Sequence, residues 1–243
     1  MSDAARPAFY ALAPGGWRDY VTLLHPPYTL WHLSYVVIGA AIAPDFRPWV
    51  LCLALVAFFL AMGIASHALD ELNGRPLGTA ISRTTLIVLA SASLGGAAAI
   101  GIATAFHTTL WLLAFVAAGV FIAVAYNLEL FGGRFHREPW FALAWGAFPL
   151  LATYVAAAET IRLEAVVAAV FAAFLSQAQR ELSTRVRLVR RRASSVSGRI
   201  ELVGGSSETI TQETLTRSPE RALRLLSASI VALAVALVLV RVT

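Results

Sequence analysis

Trp49-Val50-Leu51-Cys52-Leu53-Ala54-Leu55-Val56-Ala57-Phe58-Phe59-Leu60-Ala61-Met62-Gly63-Ile64-Ala65 carries no charge, and it runs into Ser66-His67-Ala68-Leu69-Asp70-Glu71-Leu72-Asn73-Gly74-Arg75-Pro76-Leu77. An α-helix needs about 20 apolar residues to cross the hydrocarbon of a bilayer, and this run, continued to about residue 69, supplies them. His67, Asp70 and Glu71 stand at i, i+3 and i+4, positions that share one helix face. One imidazole and two carboxylates converging at the mouth of a membrane bundle suit a hard divalent cation. His67, Asp70 and Glu71 are therefore the candidate metal ligands and the candidate catalytic groups, because ionisable side chains at membrane depth are expensive. The alternative is a helix end at the lipid–water interface with its polar residues simply solvated.

The rest of the chain has the same character. Hydrophobic residues make up 58% and charged residues 14%, against roughly 25% charged in soluble proteins; mean hydropathy is +0.72. The composition is that of an integral membrane protein. Cys52 is the single cysteine, which excludes an intrachain disulfide and a cysteine metal site. The first twenty-odd residues lack an apolar core, so no cleavable signal peptide is expected. Trp17, Tyr20 and Tyr28 fit an interfacial lead-in to the first span.

Seven apolar segments are long enough to be read as spans: roughly 28–43, 49–69, 84–106, 108–126, 140–158, 163–179 and 222–241. The expected fold is all-α, a polytopic transmembrane bundle of about seven helices with a cytoplasmic N-terminus. All 19 basic residues are arginine. With the N-terminus inside, sixteen of them fall on the cytoplasmic side, beginning with Arg6 and Arg18, and three (Arg47, Arg162 and Arg241) fall outside. This bias is the positive-inside pattern, so the net charge of +5 follows topology and no nucleic acid is expected as a partner. The expected location is a prokaryotic plasma membrane, multi-pass, with the polar loops cytoplasmic and membrane lipids as neighbours. Three parts are expected: a bundle with an interfacial lead-in over 1–181, a basic cytoplasmic loop over 182–221, and a last transmembrane helix over 222–243. In the basic loop, alternation about Gly204-Gly205 could give a β-hairpin. Its arginines from Arg185 to Arg192 read first as a contact with anionic lipid headgroups. Gly95, Gly96 and Gly101 read as close helix packing.

Three further groups are candidates for chemistry. The loop Tyr126–Trp140 carries Arg134, His136 and Arg137 around a Gly pair, and could contact a phosphate or be an ordinary basic turn. Gln177 and Glu181, at i and i+4 beside Arg180, share a face and could complete a pocket with His67, Asp70 and Glu71, or could be a polar helix end. His32, with Tyr28, Tyr35 and Gly39 near one face, is either packed in the core or lines the same pocket.

The acidic stretch running into Arg75-Pro76-Leu77, the Tyr/Gly/Arg loop, the helix Trp145-Gly146-Ala147-Phe148-Pro149 and the opening Leu23-Leu24-His25-Pro26-Pro27-Tyr28-Thr29-Leu30 together resemble the UbiA superfamily of intramembrane prenyltransferases. The resemblance covers about residues 20 to 182. It implies two Asp-rich motifs that bind Mg2+ and the diphosphate of an isoprenyl donor, and transfer of the prenyl group to a lipid or aromatic acceptor, or its cyclisation. The first family motif, Asn-Asp-x-x-Asp-x-x-x-Asp, aligns with Ser66, His67, Asp70 and Gly74, so Asp70 alone remains an aspartate, with Glu71 beside it. Gln177 and Glu181 take the spacing of the second. With the acidic set thinned, Arg75, Arg134, Arg137 and Arg180 could compensate a diphosphate, and Tyr126 is among the aromatics that could face a carbocation. A chain of seven helices, where the family commonly has nine, leaves room for a homodimer or a partner membrane protein. The alternative function is that of a non-catalytic relative which binds a lipid substrate or acts as a scaffold.

Overall fold

The computed structural model describes residues 7–243; Arg6 of the charge pattern lies outside the described residues. The chain is 74% helical with almost no sheet. A short helix, α1 (Trp17–Leu23), precedes seven longer ones: α2 (Pro26–Ile42), α3 (Pro48–Leu72), α4 (Arg83–His107), α5 (Leu112–Asn127), α6 (Glu138–Ala158), α7 (Leu163–Arg187) and α8 (Gln212–Val242). α7 continues through a π-helical turn to Arg192. Between α7 and α8, β1 (Arg199–Glu201) pairs antiparallel with β2 (Ser207–Thr209) in a small exposed hairpin, Ile200 opposite Glu208.

Local chemistry sets the helix starts. Pro26, Pro48 and Pro139 sit in the first turns of α2, α3 and α6, where the missing N–H costs nothing. The Ser82 hydroxyl accepts from Thr85 N at 3.0 Å at the head of α4. Thr211 and Thr214 cap α8 reciprocally. Two helices are interrupted rather than ended: α3 passes through a π-helical stretch at Phe59–Ser66 and α6 through another at Ala142–Ala147. The first runs directly into His67 and the second contains Trp145; π-helical turns are common beside functional residues.

α3, α4, α6 and α8 are long and apolar enough to cross a membrane. The count of about seven spans is not reached by this measure. α2 and α5 have 17 and 16 residues, and α7 carries Gln177, Gln179 and Arg180 in its second half. α6 is the central helix, with 67% of its apolar window buried, against 17–33% for the other three. The outward faces of those three present large apolar side chains, among them Phe106 and Val240, as expected of surfaces that meet lipid.

α2 and α6 make the tightest contact. A Cβ on Gly39 would stand 2.3 Å from the Leu150 carbonyl oxygen, so only glycine permits this backbone approach. Gly146 does the same for α6 and α7, where a Cβ would stand 2.5 Å from Ala172 O. Around this seam Trp31, Tyr35, Leu150, Ala172 and Ile230 form the main core. The Trp31 indole donates to Tyr35 Oη at 2.6 Å, and Ser176 donates to the same oxygen at 3.2 Å, so the polar atoms of that core are satisfied.

The two ends of the bundle differ. At one end Arg47 pairs with Glu159 at 2.6 Å, and Arg241 donates to Ala41 O and Ala43 O at 2.6 and 2.5 Å, capping α2. At the other end α2 and α6 begin and α3, α5 and α7 finish, and there the bundle opens into a cavity.

Candidate functional site

The cavity has a volume of about 880 Å³. Its lining comes from the start of α2 and α6, the ends of α3, α5 and α7, and residues 7–10. His67 and Asp70 come from the last turns of α3. His67 Nδ1 donates to Gly63 O at 3.0 Å, which leaves Nε2 as an acceptor. His32 and His136 are held likewise, through Nδ1 to Trp145 O at 2.8 Å and to Tyr126 O at 3.0 Å. His25 has a left-handed backbone (φ 47°), which turns the chain between α1 and α2 and brings its ring onto that of His67.

The opposite wall is cationic. Arg180, Arg187 and Arg191 line it from α7 and its extension. The Arg180 guanidinium donates through Nη1 to the Tyr126 hydroxyl and lies 5.2 Å from the Phe141 ring centroid. Tyr126 in turn packs on Trp145 and His136, with ring centroids 4.4 and 4.5 Å apart. Arg187 and Arg191 stand near one another on this wall, and an arginine retains its proton. Burial first, then His67, Arg191 and Arg187, hold the His25 imidazole well below the usual histidine range, so it is neutral.

Of the residues singled out in the sequence, His67, Asp70, Arg75, Tyr126, Arg180 and Glu181 line the cavity, as do Tyr28, His32 and His136. Four are placed elsewhere. Glu71 is 0% exposed, and its carboxylate is turned to the following loop: it accepts from Leu77 N at 3.0 Å, Thr79 N at 2.8 Å and Thr79 Oγ1 at 2.9 Å. Adjacent helical residues diverge by about 100°, so a face wide enough for Asp70 need not hold Glu71. The expectation of a three-ligand face is corrected by these bonds. Gln177 donates outward to Glu138 Oε2 at 3.1 Å. Arg134 and Arg137 are exposed and outside the cavity wall. Arg75, at the rim, spends Nη1 on Thr79 O and Ile81 O at 2.9 and 2.8 Å, holding the same loop that Glu71 holds.

Sequence reasoning missed His25, Gln179, Arg187 and Arg191 as cavity residues. Arg180, Arg187 and Arg191 are spaced i, i+7 and i+11, the repeat of one helix face, and that spacing was the available signal.

The donor set does not fit a resident Mg2+. That ion takes near-octahedral oxygen ligands, usually carboxylates and waters. Here Glu129 and Glu181 stand at the exposed rim, leaving Asp70 as the carboxylate of the inner wall. Among the described residues no group of three His, Cys, Asp or Glu side chains is placed to hold a metal ion.

A second, apolar cavity of about 120 Å³ lies between α3, α4, α5 and α6, lined by Ala57, Ala61, Gly101, Val116, Gly119 and Phe148 among others. Trp145 belongs to the walls of both spaces. Comparison of the chain with protein-family models, curated proteins and solved structures found no match.

Proposed function

We propose that the protein is an intramembrane enzyme of the prenyltransferase type, a divergent relative of the UbiA superfamily, acting on an isoprenyl diphosphate. The observation that carries this reading is the meeting of the two cavities at Trp145: a cationic chamber of about 880 Å³ beside an apolar slot of about 120 Å³. An amphiphile with an anionic head and a hydrocarbon chain matches both.

The chemistry follows from the walls. The C1–O bond of the allylic diphosphate breaks, and its electron pair leaves with pyrophosphate. Arg180, Arg187 and Arg191 oppose the charge that develops on the leaving group. The rings of Trp145, Tyr126 and Phe141 face the carbocation, an attraction worth roughly 2 kcal/mol when desolvated. The acceptor's nucleophilic atom, or an alkene of the prenyl chain in a cyclisation, then bonds to the cationic carbon. The released proton passes to His67 Nε2 or to Asp70, the basic groups of the α3 wall.

The same reading takes the seven long helices as spans, with the cavity end and the N-terminus on the cytoplasmic side of a plasma membrane. The sixteen-to-three arginine partition supports it. A second reading, a lipid-binding protein without turnover, is favoured by the single inner carboxylate.

The test is incubation of the purified protein in nanodiscs with labelled geranyl, farnesyl and geranylgeranyl diphosphates plus candidate acceptors, following pyrophosphate and new lipid products. Pyrophosphate release that falls at least about tenfold in Asp70→Asn is the expected result. Binding of these lipids with no release would favour the second reading.

A further inference from the structure

We infer that the polar cavity holds a diphosphate through guanidinium groups alone, so that the anion binds without a divalent cation. The inference deepens the reading above, since it takes a diphosphate as the head group, but it concerns binding and not turnover.

The cavity wall is out of charge balance. Arg180, Arg187 and Arg191 lie on one face of α7 and its extension, and Asp70 is the inner-wall carboxylate within electrostatic reach of Arg187 and Arg191. Like charges held together away from bulk water raise the free energy of the site until an anion joins them. Two other arginines of the same segment have carboxylate partners. Arg190 forms a two-pronged pair with Glu220, at 2.5 and 3.0 Å, and Arg185 lies 3.8 Å from Glu181. Arg75, Arg185 and Arg192 also reach the cavity, but Arg180, Arg187 and Arg191 differ from Arg185 and Arg190. Their bonds go to neutral oxygens: Arg180 to the Tyr126 hydroxyl, Arg187 to Thr184 Oγ1 at 3.0 Å, and Arg191 to Pro7 O at 3.0 Å. Among the described residues none of the three has an ion-pair partner.

The donor inventory points the same way. A guanidinium has five N–H groups, so most of those on the cavity wall remain for a ligand. Arg180 Nε is buried without a partner among the described residues. So is the Oε1 of Gln179, a cavity residue only 3% exposed, which could accept from a protonated phosphate oxygen. Planar guanidinium forks match phosphate oxygens two at a time. Where a metal site would gather carboxylates around the diphosphate, this wall gathers arginines and sets one carboxylate against them.

The two modes of binding give opposite signs for one substitution. If a cation bridges Asp70 to the anion, Asp70→Asn weakens binding. If arginines bind the anion directly, Asp70 repels it, and Asp70→Asn tightens binding. The experiment is titration calorimetry of the full chain in detergent with inorganic pyrophosphate, first in EDTA and then in magnesium. The expected results are binding in EDTA, a Kd that magnesium tightens by less than about threefold, tighter binding by Asp70→Asn, and a loss of about tenfold or more in Arg187→Gln. Arg187→Lys, which keeps the charge but not the fork, should fall between. Arg217→Gln, on the exposed side of α8, should bind as the unaltered protein does. Thermal melting of each variant separates lost binding from lost folding. No binding in EDTA, or weaker binding by Asp70→Asn in a folded protein, overturns the inference. Pyrophosphate binding in EDTA by a protein inert to isoprenyl diphosphates would sink the enzyme reading and leave this one standing; turnover that demands magnesium, with no binding in EDTA, would do the reverse.

Discussion

The imidazole of His25 lies stacked on that of His67, ring centroids 4.1 Å apart and planes inclined by 21°. The contact joins the start of α2 to the end of α3. It is compatible with two neutral rings and opposed by two charged ones. His25 is also faced by Tyr10 and Tyr28 and lies within reach of Arg187 and Arg191.

Acid should therefore loosen this end of the bundle. His25 in the folded protein sits well below its unfolded value near 6.5. The unfolded chain thus takes up the proton first, so the stability is present above that value and is lost as pH falls below it. At pH 5 the loss from this one group is up to about 2 kcal/mol. Thermal midpoints in detergent between pH 7.5 and 5 should fall, and His25→Phe should flatten that slope. An unchanged slope in the variant would contradict the assignment.

Glu71 should prove to be a strut for the loop and not a ligand. Glu71→Ala leaves two backbone N–H groups and the Thr79 hydroxyl without their buried acceptor, a cost of about 3 kcal/mol. Pyrophosphate affinity in the surviving folded fraction should change little beside the effect of Arg187→Gln. A melt that is unaffected, with affinity abolished, would restore the three-ligand picture.

The helix seam should tolerate no side chain. Gly39→Ala drives a methyl group into the Leu150 carbonyl, and Gly146→Ala into that of Ala172. Each should cost about 2 kcal/mol, read as a lowered melting midpoint. Gly146→Ala should also disturb ligand binding, because Trp145 beside it lines both cavities.

Residues 7–10, part of the cavity wall, should loosen when their aromatic anchor is removed. Arg224 lies 4.9 Å from the Phe9 ring centroid, and Phe9 meets Tyr28 edge-on at 6.3 Å. Phe9→Ala forfeits about 1 kcal/mol of that attachment. Hydrogen exchange at residues 8–12 should accelerate several-fold while the α2 and α6 core stays protected.

The helices were legible in the sequence because apolar length and proline-marked starts are local signals, as at Pro26, Pro48 and Pro139. Their lengths were less so: α7 does not stop near residue 179 but runs on to Arg187, since Arg187 and Arg191 find a cavity wall where solvent or lipid was expected. The cavity itself was half legible. Spacing along α3 brought His67 and Asp70 together, but it could not tell that Glu71 has three donors waiting in a loop that folds back beside it. Arginines next to a membrane carry a strong prior for lipid contact, and that prior hid the two which face inward.

The π-helical stretch at Phe59–Ser66 carries a consequence for insertions and deletions. Such a stretch accommodates surplus backbone within an otherwise α-helical rod. Removing one residue there would let α3 close into a regular helix and leave everything beyond it near its present face. The same deletion in the α-helical part, Pro48–Phe58, would turn the remainder by about 100°, swinging His67 and Asp70 off the cavity wall and Glu71 away from its loop. The chain can therefore lose a residue at one place in α3 and keep its cavity, and lose one a turn earlier and empty it.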